Sequence, residues 1–262
     1  MHLVTLLAAA AAMGAAVATP SRDARDASEP ALADAGEPVR LSTADRLTLS
    51  ASYFSPSGRT GLAPGAIVVH DAGADRQQVA GIAVYLQKKG FGVLTVDLRG
   101  HGQSGTTEMD WAQMDERGQQ RLWSFAGRDV SAAADNLRLR KEIHASNLSL
   151  IGVGAGCTLA VRHAIDDANT RAVVLVAPSS KDYGFNLERG IGDLEGLPTL
   201  IVSTSDGRDL AERLQTVGNG SSAGAIELSV VRGDSAGSLL DETRTRSETY
   251  KWLKDQVMPK RN

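Results

Sequence analysis

Two kinds of apolar pattern divide the chain. Val39–Ser42 and Leu47–Tyr53 alternate apolar and polar residues around a turn at Thr43–Arg46, as strands with one covered face do. Further on, the apolar residues come in unbroken runs: Ala66–Val69, Gly92–Val96, Leu148–Val153, Ala172–Val176, Thr199–Val202 and Ala225–Val231. Such runs mark strands covered on both faces. Between them the period becomes helical. Val79, Ile82, Ala83 and Leu86 share one face of a helix over residues 77–89, which Gly90 stops. Further helices are predicted over 128–139, 157–168, 210–217 and 239–257, with 210–217 short. Strands that alternate with helices in this way predict an α/β fold. Its sheet is mostly parallel, with helices on both faces and an antiparallel N-terminal edge. No internal repeat is present.

The chain ahead of Val39 reads differently. Residues 3–18, LVTLLAAAAAMGAAVA, carry no charge and end in Ala16-Val17-Ala18. That is a short apolar core with a small-residue cleavage pattern, so residues 1–18 are predicted to be a signal peptide. The segment before that core is only Met1-His2, without Lys or Arg. The run is too short for a comfortable membrane span, and no span is expected once it is removed. Residues 19–38, rich in Ala, Asp, Ser and Pro, predict a flexible spacer. The folded domain is then 39–262, and the expected location is secreted or periplasmic. No cysteine lies near the cleavage point, which argues against a lipoprotein. Cys157 is the only cysteine, so no intrachain disulfide can form.

Composition narrows the function. Of 262 residues, 42% are apolar and 23% charged, enough for one ordinary α/β domain. A net charge of −3 with scattered Lys and Arg argues against a nucleic-acid partner. Five histidines and one cysteine show no metal-ligand spacing, and there is no P-loop lysine. No metal and no cofactor are expected.

In parallel sheets, sites form beyond the carboxyl ends of the strands. His70-Asp71-Ala72-Gly73 follows Val69. Asp97-Leu98-Arg99-Gly100-His101-Gly102-Gln103-Ser104-Gly105 follows Val96. Gly152-Val153-Gly154-Ala155-Gly156 ends the third unbroken run. DLRGHGQSG, VVHDAG and IGVGAG, taken together, resemble the α/β-hydrolase fold family, of the serine-aminopeptidase or monoglyceride-lipase-like type. The element order agrees from about Val39 to Val257.

That resemblance implies a serine nucleophile, an acid and a histidine in this chain order, two backbone oxyanion donors, and a short cap. The donors would be the N–H groups of Ala72 and Ala155. The nucleophile position holds Gly154, which cannot attack. The acid position holds Asp206, in Ser203–Asp209; the plain alternative is a turn aspartate capping a helix. The histidine position holds Ala236, in Gly233–Gly237. No shift of register supplies a base, because the last histidine of the chain is His163. Asp71 stands where the oxyanion loop usually has glycine. The triad reads as degenerate.

Other residues compete for a role. Cys157 lies in a helix's first turn, where a thiol can be activated, yet a small buried thiol is the plainer reading. His70 and His101 lie on the site edge; each matches a position that serves loop structure in the family. GVGAGC lacks the third glycine and the downstream acid of a dinucleotide fingerprint. Met109, Trp111, Met114 and Trp123, with Tyr183 and Phe185 in the cap, either pack over the sheet edge or form a binding surface. The candidate pocket is His70, Asp71, His101, Trp111 and Trp123. Three functions remain: a non-catalytic protein that binds a small molecule or a protein, an ester or amide hydrolase with a non-standard constellation, and a structural or interaction module of the cell envelope.

Overall fold

The two kinds of apolar run become two parts of one sheet. A computed structural model describes residues 35–180, 183–221, 225–232 and 236–258. The predicted leader, and the spacer as far as residue 34, lie outside the described residues. The strands are β1 (Glu37–Ser42), β2 (Thr48–Phe54), β3 (Ala63–Val69), β4 (Gly92–Val96), β5 (Ile143–Val153), β6 (Thr170–Val176), β7 (Thr199–Ser203) and β8 (Ile226–Val230). They form an eight-stranded sheet in the order β1-β2-β4-β3-β5-β6-β7-β8. β1 and β2 pair antiparallel, as do β2 and β4; every later pairing is parallel.

The unbroken apolar runs follow from helices on both faces. Those helices are α1 (Ala80–Gln87), α2 (Glu116–Phe125), α3 (Gly127–Arg138), α4 (Gly156–Asp166), α5 (Leu187–Gly192), α6 (Arg208–Ser221), α7 (Ala236–Asp241) and α8 (Thr243–Val257). Ile67 and Val69 of β3 pack in one core with Val130, Leu137, Leu159, Leu187 and Leu214 of α3 to α6. Ala66 and Val68 pack in the other core with Ile82, Leu86, Leu240 and Leu253 of α1, α7 and α8. Successive side chains on a strand point to opposite faces, so one strand feeds both cores.

Several elements differ from the sequence reading: α5 is not anticipated, and α6, expected to be short, runs for 14 residues. α2 is unanticipated: its apolar residues, Leu122, Trp123 and Phe125, fall together in its last turn, and only Trp123 is buried. Its signal is the cap, where the Asp115 side chain accepts from Gly118 N–H. Residues 239–257 are two helices, α7 and α8, separated at Glu242 with φ −65° and ψ 120°. β1 starts at Glu37, pairing with Tyr53, inside the predicted spacer.

The strand order places the site. β3 is central, with β4 on one side and β5 on the other. Val69 at its carboxyl end pairs with both Val96 and Gly152. The loops after β3, β4 and β5 therefore leave the sheet side by side, at the point where connections diverge.

Candidate functional site

β5 ends in a sharp turn whose apex is Gly154, at φ +56°. Glycine accepts this left-handed conformation without strain. The turn is held by Gly154 N–H donating to the Val176 carbonyl at 3.0 Å. α4 begins two residues later and runs back along the sheet. Its helix start lies so close to β3 that a Cβ on Gly156 would overlap the His70 carbonyl. This is a strand–turn–helix elbow with no side chain at its tip.

The tip is occupied from the neighbouring strand. Asp71, just past β3, turns its carboxylate over the glycine. Its Oδ1 accepts from Ala155 N–H at 2.7 Å and from Ala72 N–H at 2.8 Å. A Cβ on Gly154 would overlap this carboxylate. The two amides expected as oxyanion donors are thus already bonded, to a residue 84 positions from Ala155. Hydrogen bonds to a charged acceptor contribute about 1.5–3 kcal/mol each. Asp71 N–H in turn donates to Gln78 Oε1 at 2.8 Å, which fixes the loop. Burial raises the Asp71 pKa, and the N–H groups of Ala155 and Ala72 oppose it.

Both imidazoles of the candidate pocket are bound to backbone. His70 Nε2 accepts from Leu98 N–H at 3.1 Å, so Nδ1 carries the proton and donates to the Asp71 carbonyl at 2.7 Å. His101 Nε2 accepts from Gly73 N–H at 3.1 Å, and its Nδ1 donates to the Arg99 carbonyl at 2.9 Å. His70 is 0% exposed and His101 4%. Burial, and then the neighbouring His101, lowers the His70 pKa to about 3. Burial foremost lowers that of His101. Neutral imidazoles with both nitrogens committed hold loops together; neither is placed to take a substrate proton.

Charged groups around the β4 loop are likewise spent on structure. Asp97 accepts from Arg76 N–H and Gln103 N–H, each at 2.8 Å, and pairs with the Arg76 guanidinium. Arg99 bridges Asp129, at 2.7 Å, and Asp45, at 2.9 Å. Cys157 is fully buried; its Sγ donates to the Gly152 carbonyl at 3.3 Å, and burial pushes its pKa well up. It stays a thiol and is no displaced nucleophile.

Above the turn lies a ring cluster. His101 stacks on Trp111 with centroids 4.6 Å apart, Trp111 meets Trp123 at 5.5 Å, and Tyr183 touches both indoles at 5.2 and 5.4 Å. Trp123 Nε1 donates to Thr158 Oγ1 at 3.2 Å, tying α2 to α4. Both tryptophans are buried. Beside them a cavity of about 300 Å³ is lined by Gly73, Asp75, Gln78, His101, Asp110 and Trp111, among others.

The other half of the expected triad is elsewhere. Asp206 sits in the turn between β7 and α6, exposed, and its side chain has no hydrogen-bond or ion-pair partner among the described residues. Ala236 opens α7, and residues 233–235 of its loop lie outside the described residues. The structure brings together His70, Asp71, Ala72, His101, Trp111, Trp123, Gly154 and Ala155. No described contact joins Asp206 to them. Gln78 and Thr158 are the residues that sequence reasoning missed; their roles depend on partners distant in the chain. Among the described residues, no group of three or more His, Cys, Asp or Glu converges to hold a metal, and no helix is long and apolar enough to cross a membrane.

Comparison with known proteins agrees with this geometry. The serine aminopeptidase family model matches residues 65–187, which contain the oxyanion loop and the elbow and end before Asp206. The Penicillium α/β hydrolase GrgF is 15% identical, with a TM-score of 0.65 over 84% of this chain and 98% of its own. An esterase of Pyrococcus furiosus is 15% identical, with a TM-score of 0.66 over 85% and 93%. The acylaminoacyl peptidase of Pyrococcus horikoshii is 14% identical, with a TM-score of 0.68 over 87% of this chain and 42% of its own. No curated protein matches the chain. At these identities the structural likeness speaks for the fold. With the eight-stranded sheet, the elbow and the structural neighbours in agreement, the chain has the α/β-hydrolase fold, and its residues 65–187 match the serine aminopeptidase family model.

Proposed function

We propose that this is an exported α/β-hydrolase-fold protein that has given up acyl transfer and acts by binding. One observation carries the reading: among the described residues, no imidazole with a free nitrogen faces the elbow. Gly154 offers no nucleophile, and the two imidazoles nearest it have both nitrogens bonded to backbone. The sequence holds no histidine after His163. Acyl transfer of this family's kind needs a nucleophile and a base in hydrogen-bond contact. Loss of such members costs several powers of ten in rate. The cavity beside Trp111 is the candidate binding space, of a size for a small molecule. Export rests on residues 1–18.

A second reading, a hydrolase with a non-standard constellation, has one observation in its favour. Asp71 brings a carboxylate of raised pKa to the nucleophile's place. The esterase and peptidase among the structural neighbours make esters and amides the substrates to try. The test is a hydrolysis screen with short acyl esters and aminoacyl amides, on the protein lacking residues 1–18 and on its Asp71→Asn variant. The binding reading expects both to match the buffer rate. Turnover by the wild type that disappears in Asp71→Asn would establish the second reading instead.

A further inference from the structure

Two departures from the family pattern meet in space. Glycine replaces the nucleophile at 154, and aspartate replaces glycine at 71. Neither position explains the other along the sequence. In the fold they are one feature: the Asp71 carboxylate occupies the volume a side chain on residue 154 would need. It also takes both amides that would otherwise receive a substrate oxygen.

We propose that Asp71 is the resident ligand of the two-amide niche, closing it to outside carbonyl and carboxylate groups. This deepens the binding reading and rests on it. The closed niche assigns ligand binding to the space beside Trp111. The chemistry is specific. A carboxylate oxygen between two converging N–H groups reproduces the charge that an acyl oxyanion places there. Two features keep Asp71 in place besides these bonds. Its own N–H is held by Gln78, and its carbonyl accepts from His70. The backbone of residue 71 is thus anchored independently of its side chain, so the side chain can be removed while the loop remains.

A vacated niche should accept a free carboxylate of the same shape. Formate is the probe, added at pH 7 to the folded protein lacking residues 1–18, with the amide resonances of Ala72 and Ala155 as the readout. In Asp71→Ala, both resonances should shift together and saturate at millimolar formate, as expected for two charge-assisted hydrogen bonds. In the wild type and in Asp71→Asn, whose amide oxygen can still fill the niche, they should not move. Asp71→Ser, whose hydroxyl is too short to span both donors, serves if Asp71→Ala does not fold. An equal response in wild type and vacated variants would overturn the proposal, and so would still resonances in every vacated variant. Ester hydrolysis is measured on the same samples. Turnover by the wild type would sink the binding reading alone. The formate result decides the plug regardless.

Discussion

The two halves of the expected site have different fates. On the oxyanion side, at the ends of β3, β4 and β5, nearly every polar group is bonded and buried. Asp71, His70, His101, Asp97 and Arg99 each hold two or more partners. On the acid side, after β7, Asp206 is exposed and bonded to nothing among the described residues. The oxyanion-side residues are held by bonds that also build the scaffold; Asp206 has no such bonds among the described residues. The elbow persists because the strand must turn into α4, whether or not it carries a nucleophile.

This contrast sets a scale of expected effects. The largest is at the buried Arg76–Asp97 pair, whose side chains are 7% and 1% exposed. Asp97→Ala removes the carboxylate that pairs with a buried guanidinium and should cost about 3–5 kcal/mol, read from urea unfolding. A loss under about 1 kcal/mol would mean that the oxyanion side is less tightly built than its contacts imply.

Next is Gly154→Ser. Its new side chain must displace the Asp71 carboxylate, and overpacking of this kind costs roughly 1–3 kcal/mol. It should gain no esterase activity, because the sequence holds no histidine after His163 to serve as the base.

Acid should weaken the same side. His70 is neutral in the fold, with its pKa lowered to about 3. A histidine with a depressed folded pKa contributes stability that is full above its ordinary value near 6.5. That stability is lost as pH falls from there toward 3. The slope is at most about 1.4 kcal/mol per pH unit. Unfolding between pH 7.5 and 4.5 measures it, with the His70 resonances to identify the group. A His70 that titrates near its ordinary value would contradict the locked tautomer.

The smallest effect belongs to the other side. Asp206→Ala should change stability by less than about 0.5 kcal/mol, as exposed unpaired positions do. A larger loss would show that Asp206 keeps a partner.

Much of the fold can be read directly from the chain, because burial on both faces writes unbroken apolar runs. The strands near Ile67, Leu94, Leu150 and Val174 are visible for that reason. α2 is not, since its sequence ERGQQRLWSF is mostly polar, carries its apolar residues only in the last turn and buries one of them. The break at Glu242 is hidden because residues on both sides suit a helix. The site is legible as positions and opaque as interactions. Gly154 and Asp71 each stand out as departures from the family pattern, yet their contact follows from β3 pairing with β5, a long-range event. The partners of His70 and His101 are backbone groups, which carry no signature in residue type. Sequence alone therefore left both histidines open as bases, and geometry closes them.

The central claim is that Gly154 and Asp71 are a matched pair. Its most direct test is a double-mutant cycle in unfolding free energy with Gly154→Ser, Asp71→Ala and the two combined. The account predicts non-additivity. With the carboxylate gone, the serine should cost less, and the coupling should fall within about 0.5–3 kcal/mol. Strict additivity, with Gly154→Ser equally harmful in both backgrounds, would contradict it.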